Sequence, residues 1–164
     1  MPKMDWSEDA LVTLLFAVDI NAKPAELEKD PAVWCLNPVR LNKAFTFNDI
    51  YPAGYIPNVE ENAVYALFGP NGNGFNNQKP GAVYGPLNST RIIAQKGVFT
   101  IFPYTKNLIE FNKLPDSAQY LAKIVSDKDA RKPLTEQLCR YGFNYAQLFP
   151  EIGSAGLEIT EEGY

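Results

Sequence analysis

Apolar residues recur at helical spacing early in the chain. Leu11, Leu14, Leu15 and Val18 share one face, behind Ser7, Glu8 and Asp9. Ser7 reads as an N-cap and the two acids sit where the helix dipole favours negative charge, which predicts an amphipathic helix over about residues 8–19. Pro31 then opens Ala32–Leu36, an apolar run too short for a helix and rich in strand formers, which Asn37-Pro38 stops. Ser89 or Thr90 caps a short helix through residues 91–96, with Gly97 suited to the left-handed position at its end. A strand follows over residues 98–102 and ends at Pro103. A second, over residues 120–125, alternates as if one side faced solvent. Residues 127–141 read as a helix with Leu134, Leu138 and Tyr141 on one face, Pro133 in its first turn and Gly142 at its end. A last helical piece is expected over residues 151–159, and the acidic tail 158–164 is expected to fray.

Between residues 42 and 90 the periodicity weakens. Pro52, Pro57, Pro70, Pro80 and Pro86 interrupt the segment, as does a Gly/Asn tract over residues 69–77. Residues 59–68 hold a short helix with Ala63, Val64 and Leu67 as its apolar face. The remainder reads as a long surface excursion, of the kind that is functional or mobile. The expected architecture is α+β: a single mixed domain over 1–164, with short strands, two to four helices and a long Gly/Asn/Pro-rich loop.

The chain has 164 residues, 46% hydrophobic and 21% charged, enough to bury a core. Its net charge of -4 argues against nucleic acid and anionic lipid as partners. There is no histidine, so imidazole bases, His-containing triads and histidine zinc sites are excluded. No apolar run approaches membrane-spanning length, and the acidic start does not suit a signal peptide. Cys35 and Cys139 lie far apart in apolar surroundings and read as buried reduced thiols of a cytoplasmic protein.

Few constellations carry chemistry. The 69–77 tract lacks the lysine and hydroxyl of a phosphate loop, and its Asn-Gly pairs are ordinary turn residues. Glu60-Glu61 and Glu161-Glu162 are adjacent pairs that point apart, so a solvated surface accounts for them. No Asp, Glu or Cys cluster has metal-ligand spacing, and no metal is expected. Arg91 and Gln95, at i and i+4, share a helix face on which the guanidinium could grip a carboxylate or phosphate; the competing reading makes Arg91 a structural anchor. Asp5, Trp6 and Ser7 either organise the start of the first helix or line a pocket.

Four segments, in order, resemble FRG domains. Residues 4–18 (Met-Asp-Trp-Ser-Glu-Asp-Ala-Leu-Val-Thr-Leu-Leu-Phe-Ala-Val) resemble the "LLDW-S/T … A-L … FA" stretch of that family. Ala32-Val-Trp-Cys-Leu-Asn-Pro38 resembles its "aVWvLnP" strand, and Arg91-Ile-Ile-Ala-Gln-Lys-Gly-Val-Phe99 its "RI-x-aQ-x-GvF" element. Lys123-Ile-Val125, Leu138 and Leu148-Phe-Pro-Glu-Ile152 fit the usual end. The Phe-Arg-Gly signature is absent and in the family precedes the Asp-Trp segment. The resemblance therefore implies the C-terminal portion of such a domain.

Two functions stay open. The resemblance implies, by fold-level analogy with ADP-ribosyltransferases, a pocket for NAD or a related nucleotide. Arg91 would bind a phosphate or carboxylate, Gln95 would orient the ribose, and Asp5, Trp6 and Ser7 would line the nicotinamide side; no catalytic carboxylate is assigned. The alternative is a non-catalytic protein-interaction or regulatory module, or an inactive fragment of a larger domain. In that module Tyr51, Tyr55, Tyr65, Phe75 and Tyr84 present aromatics from the long loop to a protein partner.

Overall fold

A computed structural model describes residues 3–19, 21–45, 47, 50, 51, 53–69, 79–103 and 110–150. Its elements are β1 (Lys3–Ser7), α1 (Ala10–Ala17), α2 (Pro24–Leu27), β2 (Ala32–Leu36), α3 (Pro38–Ala44), α4 (Asn62–Phe68), β3 (Gly81–Val83), α5 (Thr90–Ala94), β4 (Gly97–Ile101), β5 (Leu121–Val125), α6 (Arg131–Arg140) and α7 (Tyr145–Leu148). The class is α+β, as expected. The described residues hold seven α-helices, more than the expected two to four, because several are single turns that leave no periodic signature.

The strands form a three-stranded sheet in the order β1-β4-β3 and a two-stranded sheet of β2 with β5. β3 runs antiparallel to β4, with Ala82 opposite Thr100. In the ribbon, Asn37 N–H donates to Tyr120 O at one end and Ser126 N–H to Pro31 O at the other, so β2 and β5 are also antiparallel. The chain divides into two compact units. Unit 1 comprises Met1–Trp6, Trp34–Pro86 and Val98–Lys123, and unit 2 comprises Ser7–Val33, Leu87–Gly97 and Ile124–Tyr164.

Unit 1 carries α3, α4, β3 and most of β4. One buried cluster joins Leu41, Ala82, Phe111, Leu114 and Tyr120, with Trp6, Leu36, Phe45, Phe102 and Leu121 packed on it. The indole of Trp6 also donates to the buried Thr100 hydroxyl at 3.0 Å. Parts of the segment read as a surface excursion are interior: Phe47, Val64, Phe68, Ala82 and Val83 are buried. The helix expected over 59–68 forms as α4, with Val64 and Phe68 buried and Ala63 and Leu67 only partly so, and the segment also holds β3. Most of the Gly/Asn tract, with Phe75, lies outside the described residues.

Unit 2 carries α1, α2, α5, α6 and α7, and packs Val12, Leu15, Val18, Leu138 and Leu148 together. Each such side chain contributes about 2 kcal/mol by leaving water. Ser7 is not the N-cap of α1, for it ends β1. Asp9 caps instead, its carboxylate accepting from Leu11 and Val12 N–H. Leu11 is accordingly exposed and Val12 takes the inward place. α5 starts as expected, with Ser89 accepting from Ile92 N–H. The left-handed residue after it is Lys96 (φ 46°), not Gly97, which already belongs to β4. A 3-10 turn over Lys128–Ala130 precedes α6. At its end Gly142 (φ 87°) lets its own N–H reach Cys139 O and that of Phe143 reach Leu138 O, the paired bonds of a Schellman cap. Tyr141, expected on the inner face, is exposed. Cys35 and Cys139 are free, as expected, but exposed rather than buried. The helical piece and acidic tail expected beyond residue 150 lie outside the described residues.

Candidate functional site

The five residues singled out from the sequence divide between the units. In unit 1, Asp5 is exposed beside Lys3 (4.0 Å), and Trp6 is committed to Thr100 and to the Phe111 ring at 5.9 Å. In unit 2, the Ser7 hydroxyl donates to Gln95 O (2.7 Å) and accepts from Asp9 N–H. The Gln95 amide donates to Leu148 O at 3.1 Å. Both polar side chains thus serve the protein's own backbone. Arg91 is exposed, its guanidinium 4.8 Å from the centre of the Phe149 ring, and among the described residues no hydrogen bond or ion pair occupies it. Beside this group Asp9 pairs with Lys96 at 2.8 Å. The Lys96 bond holds the carboxyl of Asp9 below its ordinary range, and Asp9 in turn raises the Lys96 ammonium.

The denser arrangement was not expected. In unit 1 the Glu61 carboxylate, read from the sequence as merely solvated, is half-buried and accepts three hydrogen bonds. They come from the Tyr51 hydroxyl (2.5 Å), the Tyr55 hydroxyl (3.2 Å) and Asn58 N–H (2.8 Å). The two rings lie 5.0 Å apart at 43°. The Tyr51 bond, followed by that from Asn58, keeps Glu61 ionised below the usual carboxylate range. Glu61 in turn pushes the Tyr51 phenol up to about 12 and raises Tyr55, so both phenols are neutral at physiological pH. Among the described residues no ion pair involves Glu61.

This group stands on a fixed base. Asn42, wholly buried on α3, donates to Tyr55 O and Ala82 O and accepts from Ala82 N–H. Its amide therefore completes the hydrogen bonding of β3 while tethering the Tyr55 backbone. Gly54 (φ 79°) lies so close to α3 that a Cβ would fall 2.5 Å from Val39 O. Beyond it, Tyr84 N–H donates to Pro57 O and Val59 N–H to Tyr84 O, pinning the chain again before α4. Yet Tyr55 remains 52% exposed and Tyr65, on α4, 57%. The sequence did carry one signal for this: Asn58-x-x-Glu61 has the spacing at which a carboxylate reaches back to a backbone N–H before a helix.

Among the described residues no group of three or more His, Cys, Asp or Glu is disposed to hold a metal ion, and no helix is long and apolar enough to cross a membrane. No protein-family model, curated protein or solved structure matches the chain.

Proposed function

We propose that the protein is a binding module that recognises a protein partner through the tyrosine surface of unit 1. The observation that carries this reading is the contrast at Tyr55: a backbone pinned by a buried amide beneath a ring left more than half exposed. Exposed tyrosines on a preorganised backbone bind with little further loss of conformational entropy. Tyr65 and Ile50 are further exposed apolar side chains of unit 1. A photo-crosslinking amino acid at position 65 should yield an adduct of discrete mass in extracts of the source cell. One at the exposed Tyr141 should not. Diffuse or equal labelling at both positions would count against the reading. The resemblance to FRG domains belongs to the same proposal.

A second reading, nucleotide or other anion binding in unit 2, draws on Arg91. Its exposed guanidinium has no polar partner among the described residues and is held over Phe149, as suits a phosphate-gripping fork. NAD, ADP-ribose and nicotinamide should each be tried in a thermal-shift assay, since a ligand at 100 times its Kd stabilises by about 2.7 kcal/mol. A shift abolished by Arg91→Ala supports the site. The absence of any shift in a folded sample removes it.

A further inference from the structure

We propose that the Tyr51–Tyr55–Glu61 surface seats a lysine or arginine side chain of a basic peptide segment in the partner. This rests on the reading of unit 1 as a protein-binding module and adds the chemistry of what it binds.

The polar atoms of the group are turned on one another. Both phenolic hydroxyls donate to Glu61, whose remaining bond comes from the backbone of Asn58. Both hydroxyl protons are already engaged, so the group offers a sugar or a polar peptide acceptors only. What stays available is the exposed ring of Tyr55 and the negative charge of Glu61. A cation takes both: it is drawn to the negative face of an aromatic ring, and a phenol that donates to a carboxylate has a more electron-rich ring. The Glu61 charge sits at the hydroxyl edge of both rings and has no ion-pair partner among the described residues.

The chain's own cations point the same way. Lys3 lies over Phe99, Lys79 over Phe45, Lys123 over Trp34 and Arg91 over Phe149. Among the described residues none lies over Tyr51 or Tyr55, the ring pair with a carboxylate attached. The net charge of -4 favours approach of a basic segment.

The test is titration of the full chain with a fluorescent oligoarginine peptide, an oligolysine peptide and an oligocitrulline control, followed by anisotropy. Generic attraction to an acidic protein is separated by variants. Tyr55→Leu leaves every charge in place and should weaken oligoarginine binding about three- to ten-fold, the span of an exposed to partly desolvated cation–π contact. Tyr55→Phe keeps the ring and should retain most of the affinity. Glu61→Gln should weaken binding, whereas Glu136→Gln, which removes an equal charge in unit 2, should not. Circular dichroism establishes that each variant folds. Equal affinity of Tyr55→Leu and wild type, or equal losses for Glu61→Gln and Glu136→Gln, would overturn the proposal. If the crosslink at position 65 still captures its discrete partner, only the cationic specificity falls; if it fails as well, the binding module falls with it.

Discussion

Asn42 is a wholly buried polar side chain whose amide bonds Tyr55 O, Ala82 O and Ala82 N–H at 2.7–2.9 Å. Removing it leaves buried backbone groups without partners, and each such group costs about 1–3 kcal/mol. Asn42→Ala should therefore lower the unfolding free energy by roughly 3 kcal/mol in urea titration. A loss under about 1 kcal/mol would mean that water replaces the amide. Arg131 plays a comparable part in unit 2. Its guanidinium donates to Ala17 O at the end of α1 and to Glu26 O and Lys29 O near α2, while its buried Nε has no partner among the described residues. Arg131→Lys keeps the charge but not the fork, and should cost about 2 kcal/mol by the same assay. Nothing in the sequence around either residue marks it, because each acts on backbone far away in the chain.

Two glycines separate conformation from contact at the scale of elements. Gly142, which ends α6, has open space where a Cβ would stand, so Gly142→Ala should cost only the left-handed backbone term, about 1 kcal/mol. Gly54 adds a collision with Val39 on α3, and Gly54→Ala should cost clearly more. Equal losses would mean that the 53–55 turn yields easily. The elements themselves were legible wherever local chemistry decides them. A short apolar run of strand formers marked β2 and alternation β5, Ser89 marked the start of α5, and Gly142 the end of α6. β1 was missed because its five residues face mostly outward and Asp5-Trp6-Ser7 reads as the entry to the first helix. That error shifted the cap of α1 from Asp9 to Ser7. α3 was missed because Asn37-Pro38 reads equally as a strand stop and as the helix start it is, with Asn37 accepting from Arg40 N–H and Pro38 in the first turn. At the candidate site the tyrosines were visible as aromatics, but Glu61 was visible only through its spacing from Asn58, since its role depends on a turn that brings it to the hydroxyl edges of two rings.

At the scale of the molecule, these bonds set a pH profile. Glu61, through Tyr51, and Asp9, through Lys96, have folded pKa values below their ordinary 4.5 and 3.8. Their stabilisation is complete above those values and is lost as pH falls through the folded ones. Tyr51, raised from 10.0 to about 12 by Glu61, acts in the opposite sense. Its share is complete below 10 and disappears as pH rises to about 12, and Lys96 and Lys128, raised by Asp9 and Glu28, follow it at the alkaline end. Urea midpoints should therefore hold level between about pH 5 and 9 and fall on both sides. Tyr51→Phe should remove part of the alkaline fall, and an unchanged profile would separate Tyr51 from Glu61. The central claim is that a Pro- and Gly-rich segment resembling a loose loop is a fixed platform for exposed tyrosines. Residue-resolved hydrogen exchange on the native chain tests it most directly. The amides of Asn58, Val59, Ala82 and Tyr84 should be protected to a degree similar to those of β4, and Asn42→Ala should abolish that protection at Ala82 first. Exchange of Asn58 and Val59 at the rate of an unstructured chain would contradict it.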